Sequence, residues 1–237
     1  MTTKLLNSLA AATTLAGVML TAGVANAASL TRTASTSFQL TDIVDSVLSI
    51  EKFDSSLGKL NSVYVDFTSD MTGSAEFENR GAGASTIKIN LGANVELKQL
   101  NLDLLSSFPI TLLSEEYSVS SFDSILDFGG TSGRTVAGLT ATQSASKMFT
   151  DLSDLAVFTG TGNLDFLFSA KAWSSVTGSG NMASFVTTLA KANITVTYNY
   201  DDLQTVPEPS AVLGMGLFAG IGLLSQRKKS WLKISHS

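Results

Sequence analysis

The 237-residue chain has no cysteine, one histidine, His236, and three prolines. Disulfides persist in exported proteins, so their absence means that this chain is held by its core and not by covalent staples. With no thiol and no imidazole before residue 236, the chain cannot build a Ser-His-Asp triad, a Cys-His pair or the common zinc and copper sites. Cationic charge is also sparse: residues 28–206 carry 10 Lys and Arg against 19 Asp and Glu, a net charge of about −9. Phosphate backbones are bound mainly through Lys and Arg, so nucleic acid is not an expected partner.

Long apolar runs occur only at the two ends. At the N-terminus Lys4 precedes an apolar stretch from Leu5 to Val24, followed by Ala25-Asn26-Ala27. That is the order of a secretory signal, and small side chains at Ala25 and Ala27 suit the signal peptidase pocket; the reading places a signal peptide over residues 1–27 with cleavage after Ala27. At the C-terminus an apolar run from Ala211 to Leu224 is followed by Arg227, Lys228 and Lys229. A bilayer core of ~30 Å takes roughly 20 helical residues, so the predicted transmembrane helix extends over residues 210–226, with Ser210, Ser225 and Gln226 at the interface. The basic cluster at 227–229 predicts a cytoplasmic C-terminus, with everything upstream outside.

Between the ends lie residues 28–205, enough for one extracellular domain. Twofold alternation marks its strands: Val63, Val65 and Phe67 alternate with Tyr64, Asp66 and Thr68; Ile87, Ile89 and Leu91 with Lys88 and Asn90; Ile194, Val196, Tyr198 and Tyr200 with Thr195, Thr197 and Asn199. This period sets one face on a core and the other in water, as in antiparallel sheets. Gly-rich breaks at 58–59, 80–83, 129–130, 160–163 and 178–181 separate the runs. The expected fold is all-β, an antiparallel β-sandwich of jelly-roll-like or Ig-like kind. Helix is expected as a minor component, with candidates at residues 41–51 and 184–191.

Two of the three prolines stand together in Val206-Pro207-Glu208-Pro209. Proline fixes its own φ and biases the preceding residue toward extended backbone, which makes this a stiff peptide that a membrane enzyme can engage. Pro-Glu-Pro, an apolar segment and a terminal Arg/Lys cluster together resemble the PEP-CTERM sorting signal of Gram-negative bacteria. The match covers about 25 residues, 206–230. The resemblance implies recognition by an exosortase, a membrane cysteine protease thought to process its substrates near the motif, in species that often make extracellular polysaccharide. The run here is shorter than usual, and eight residues, 230–237, follow the basic cluster.

The body resembles the choice-of-anchor E type of extracellular domain, through FDSSLGKLNSV from Phe53, GSAEFEN from Gly73, FDSILDFGGTSGRTVAGLT from Phe122, DLAVFTGTGNLDF from Asp154 and ITVTYNY from Ile194. That resemblance carries no catalytic residues and no assigned molecular function.

Several shorter patterns carry weaker chemistry. Asp127-Phe128-Gly129 spells a kinase triplet but lacks its companion loops, and reads as a strand end turning at Gly129-Gly130. Gly160-Thr161-Gly162 lacks the third glycine of a dinucleotide fingerprint and reads as a turn. Carboxylate pairs, Glu76 with Glu78 and Glu115 with Glu116, are what a glycosidase would need; on a strand the first pair shares a face and the second does not, and solvated charge is the default for both. Asp123, Asp127, Asp151, Asp154 and Asp165 sit in expected loops whose oxygens suit a structural calcium ion, without EF-hand or nonapeptide spacing. Trp173, Tyr64, Tyr117, Tyr198 and Tyr200 are read as core and sheet residues ahead of a sugar-stacking platform. Arg134, between Gly133 and Thr135, is expected to be exposed.

The expectation is therefore a non-enzymatic protein, exported to the envelope, cell surface or matrix of a Gram-negative-type bacterium. Its processing partners are signal peptidase and an exosortase, its tail meets the membrane, and extracellular polysaccharide is its candidate ligand. The alternatives are a carbohydrate-binding module retained in exopolysaccharide and, behind it, a carboxylate-based glycoside-active enzyme.

Overall fold

The computed structural model describes residues 17–20, 27–102, 104 and 108–202. The chain runs β1 (Gly17–Leu20), β2 (Ala27–Ser35), β3 (Gln39–Leu40), β4 (Ile43–Glu51), β5 (Gly58–Asn79), β6 (Ser85–Lys98), β7 (Phe108–Val119), β8 (Gly133–Phe149), α1 (Leu152–Phe158), β9 (Asn163–Ala172), β10 (Ser175–Thr177) and β11 (Met182–Asp202). All strand pairs within the two sheets are antiparallel. One sheet has the order β1-β2-β11-β5-β8, with β3 also on β11. The other joins β4, β9 and β6, with β7 on the far edge of β6. Strand β10 continues the line of β9 along β6 after a break at Trp173 and Ser174.

Alternation explains the layering. On β5, Val63, Val65, Phe67 and Met71 are buried while Tyr64 and Asp66 are exposed; on β11, Ala190, Ala192, Ile194, Val196 and Tyr198 turn inward. The opposing sheet contributes Leu48 and Ile50 from β4, Ala93, Val95 and Leu97 from β6, and Phe166, Phe168 and Ala170 from β9. Two half-buried sheets thus close one apolar layer, the sandwich-like arrangement that period-2 sequences reach when their apolar faces meet. A second cluster, Ala75, Phe77, Ile87, Ile89, Leu91, Leu113 and Val119, fills the end of the sandwich where β5 finishes and β6 begins.

Both expected helices are strands. Residues 43–51 form β4 against β9, and residues 184–191 lie inside β11, paired rung by rung with β5. The cause is tertiary: Ile43, Val44, Val47 and Ile50 are β-branched, as are Val186, Thr187 and Thr188, and a ladder partner, β9 for the first segment and β5 for the second, outweighs a weak helix preference. The helix that does form, α1, buries Leu155 and Phe158. Phe158 packs on Phe149 at 5.2 Å and on Tyr198 at 6.4 Å between ring centroids, so the short helix plugs one end of the sandwich with aromatic side chains.

Among the described residues no helix is long and apolar enough to cross a membrane. The predicted span over 210–226 lies outside them.

Candidate functional site

Of the residues assigned to the expected sorting signals, the structure describes Ala27, whose side chain is exposed as the first residue of β2. Its partner in register is Asp201, next to the end of β11 at Asp202. The start of β2 and the end of β11 therefore sit side by side on adjacent antiparallel strands. Strand β1, within the predicted signal peptide, lies along β2 with Leu20 opposite Ala28. Ala25, Val206, Pro207, Glu208, Pro209, Arg227, Lys228 and Lys229 lie outside the described residues.

At the opposite end, the connection between β7 and β8 folds over the sheet that holds β5 and β11. Phe128 packs edge-on against Phe185 with centroids 5.4 Å apart, and the Thr135 hydroxyl donates to the Phe128 carbonyl at 3.1 Å. Beneath this roof lies Glu78, fully buried. The Ser132 hydroxyl donates to Glu78 Oε1, while Oε2 is buried with no hydrogen-bond partner. Gly133 makes the enclosure possible, because a Cβ there would stand 2.1 Å from that oxygen. Asn79 anchors the roof: its Nδ2 donates to the carbonyls of Gly83 (2.9 Å) and Ser120 (2.7 Å), and its Oδ1 accepts from Gly81 N (2.9 Å).

The carboxylate pairs separate accordingly. Glu76 is half-buried and Glu78 enclosed, so burial splits a pair that strand geometry alone would place together. Glu115 and Glu116 are both exposed on β7; Glu115 accepts from the Tyr117 hydroxyl at 2.6 Å, and Glu116 pairs with Lys88 at 3.6 Å. Burial and the Glu115 carboxylate together push the Tyr117 phenol above its usual range. Arg134 is exposed as expected and sets its guanidinium 4.8 Å from the Tyr117 ring centroid.

Asp127-Phe128-Gly129 is a loop rather than a strand end, with Asp127 Oδ1 accepting from Gly129 N at 2.9 Å. The five aspartates considered for calcium are dispersed. Asp123 and Asp127 bind their own loop backbone, Asp151 and Asp154 flank the start of α1, and Asp165 accepts from the Ser49 hydroxyl at 2.7 Å. Among the described residues no three His, Cys, Asp or Glu side chains gather closely enough to hold a metal ion.

The five aromatics do not share a face either. Tyr198 and Tyr200 are core residues, Tyr117 and Trp173 are half-buried, and Tyr64 is exposed on the outer face. The Trp173 ring lies on Gly92, where a Cβ would come within 2.1 Å of it, and its Nε1 is buried without a partner.

Sequence reasoning treated Glu78 as solvated and did not single out Ser132. Its one available sign was Asn79 directly before the turn at 80–83, since Asn commonly bonds backbone two residues on.

No protein-family model matches the chain, and no curated protein matches it. Among solved structures it is similar to one of infectious bursal disease virus, Gt strain, at 11% identity over 98% of this chain and 55% of that one, with a TM-score of 0.22. The Gx strain gives 12% identity over 86% of this chain and 50% of that one, with a TM-score of 0.14. The chain spans about half the length of these structures, and likeness at this level carries no functional argument.

Proposed function

We propose that the chain is an exported, non-enzymatic surface or extracellular-matrix protein, with a jelly-roll body sorted through its C-terminal tail by an exosortase. The observation that carries this reading is the tail: Val206-Pro207-Glu208-Pro209 begins four residues beyond the last strand at Asp202, and an apolar run and Arg227-Lys228-Lys229 follow. At the other end, the small-x-small cleavage pattern ends at Ala27, where β2 begins. The jelly-roll assignment draws on strand order. The eight main strands β2, β4, β5, β6, β7, β8, β9 and β11 divide as β2-β11-β5-β8 and β4-β9-β6-β7, two interlocked Greek keys. The test is mass spectrometry of the protein's termini in membrane and secreted fractions. Expected are an N-terminus at Ala28 and a C-terminus near Pro209 that reverts to the unprocessed form when the exosortase is lost. A full-length chain confined to the cytoplasm would sink the proposal.

A second reading, carbohydrate binding within exopolysaccharide, is favoured by the outer face of the β2-β11-β5-β8 sheet. Its rungs align Thr31-Thr197-Tyr64, Thr33-Thr195-Asp66 and Ser35-Asn193-Thr68. These rows place hydroxyls, an amide and a carboxylate around one exposed aromatic ring, a surface suited to sugar hydroxyls. Tyr64→Ala should reduce co-sedimentation with the producing organism's own polysaccharide, and an unchanged bound fraction would count against this reading. The glycoside-active alternative draws no support from an enclosed Glu78 or from Glu115 and Glu116 on an open strand edge.

A further inference from the structure

One side of the sandwich ends in two strand edges. Among the described residues β8 is hydrogen-bonded along β5 alone and β7 along β6 alone. The two strands stack across the gap between sheets, as the Arg134–Tyr117 contact shows. Two rows of backbone N–H and C=O groups, about 10 Å apart, therefore run along one side of the molecule.

The edge of β8 carries little of the charge, and none of the proline, that guard many exposed edges. Over Gly133–Phe149 it has no proline and no acidic residue, and the twelve residues between Arg134 and Lys147 are uncharged. Thr, Ala, Ser and Gly make up most of them, which leaves a neighbouring backbone room to approach. Such an edge is a template for strand addition. Its charge also complements that of β7: β8 bears Arg134 and Lys147 and no anion, while β7 bears Glu115 and Glu116 and no cation.

We propose that this side is a self-association surface, on which a second copy of the chain lays its β7 along β8 and its β8 along β7. Two symmetric arrangements could join the edges. A two-fold axis perpendicular to the sheets would set β8 on β8 and β7 on β7, each against its own sign of charge. A two-fold axis parallel to the strands sets β8 on the second copy's β7 and preserves height along the strand. Strand directions suit the second arrangement. β5 reverses into β6 through the short turn at 80–84, β7 is antiparallel to β6 and β8 to β5, so β7 and β8 run in opposite directions. Both new ladders would be antiparallel.

The Arg134–Tyr117 contact fixes the register, since it marks equal heights on the two edges. Residues 134–143 of one copy then face residues 117–108 of the other, and Arg134 meets Tyr117 and, on the same face of β7, Glu115 of the second copy. Each strand carries one extra residue within this stretch, at the register shifts of β8 against β5 and of β7 against β6. The two irregularities fall at similar heights and leave the register matched below them, where Thr140 opposes Thr111. The inference stands apart from the export reading, because it uses the domain's edges alone.

The cysteine-free chain supplies the test. Full-length Thr140→Cys and Thr111→Cys variants, both at exposed positions, are mixed in mild detergent and oxidised. The expected product is the Thr140→Cys/Thr111→Cys heterodimer, in clear excess over either homodimer. Preference for the Thr140→Cys homodimer, no preference, or a monomer mass at every concentration in sedimentation would overturn the proposal. Association driven by the apolar tail would show no preference, and so is distinguished. Arg134→Glu should raise the dimer dissociation constant about two- to fivefold, and adding Glu115→Lys in the same chain should restore it. Failure of that rescue would reject the register.

Discussion

Tyr198 shows how one buried polar atom ties the two sheets together. Its hydroxyl donates to the Glu51 carbonyl on β4 at 2.9 Å, and its ring packs on Phe53 and Phe158. Burial raises the phenol's pKa well above the ordinary value. Because the folded-state pKa lies above the unfolded value of about 10, the neutral phenol's contribution is fully present below pH 10 and is lost as pH rises past it. Tyr198→Phe should begin about 1 kcal/mol less stable at neutral pH and fall less steeply above pH 10 in melts followed by circular dichroism. Equal alkaline slopes in the two proteins would refute the assignment. Gly133→Ala is the second prediction at this scale: its Cβ would drive into Glu78 Oε2 and lower stability by about 1–3 kcal/mol, measurable by urea unfolding. The wild-type neighbour Gly83, with open space at its Cβ position, should accept alanine at little cost.

At the scale of elements, α1 and the roof over Glu78 are among the pieces that sequence periodicity did not find. The helix has seven residues and a single buried pair, Leu155 and Phe158, too short a pattern to stand out from its surroundings. Its stability comes from the aromatic pocket at the sandwich end, so Phe158→Ala should cost about 3–5 kcal/mol in equilibrium unfolding. A cost below about 1 kcal/mol would mean that the helix does not plug the core. By contrast, β5, β6 and β11 were legible, because Val63/Val65/Phe67, Ile87/Ile89/Leu91 and Ile194/Val196/Tyr198 alternate without interruption. Residues 184–191 misled because Phe185, Leu189 and Ala190 do not alternate cleanly. Their strand conformation comes from pairing with Asp70 to Phe77 of β5 along the whole stretch and, at Leu189 and Ala190, with Leu40 and Gln39 of β3 on the other side.

For the whole molecule, the order of strands sets a gradient of protection. β11 and β5 each have ladder partners on both sides, whereas β8 has one. Amide exchange should therefore be slowest in the central rungs of β5 and β11 and fastest along β8 in dilute protein. Residues 134–143 should gain protection as concentration rises if the β7/β8 side self-associates. Uniform protection across the sheet would contradict the topology.

Residue types and their spacing were enough for the all-β class, the inward and outward faces of the long strands, the absence of any thiol and of any imidazole before residue 236, and the apolar runs at the two ends. Each follows from residue type and local spacing, which need no partner to be read. Tertiary structure alone decided that Ala27 and Asp201 are neighbours, that Glu78 is enclosed while Glu76 is not, and that β7 and β8 end as complementary edges on one side. Those facts depend on contacts between residues far apart in the chain, such as Glu78 with Ser132 and Arg134 with Tyr117. No local pattern encodes which strand will lie beside which, because pairing is chosen by the joint closure of the core.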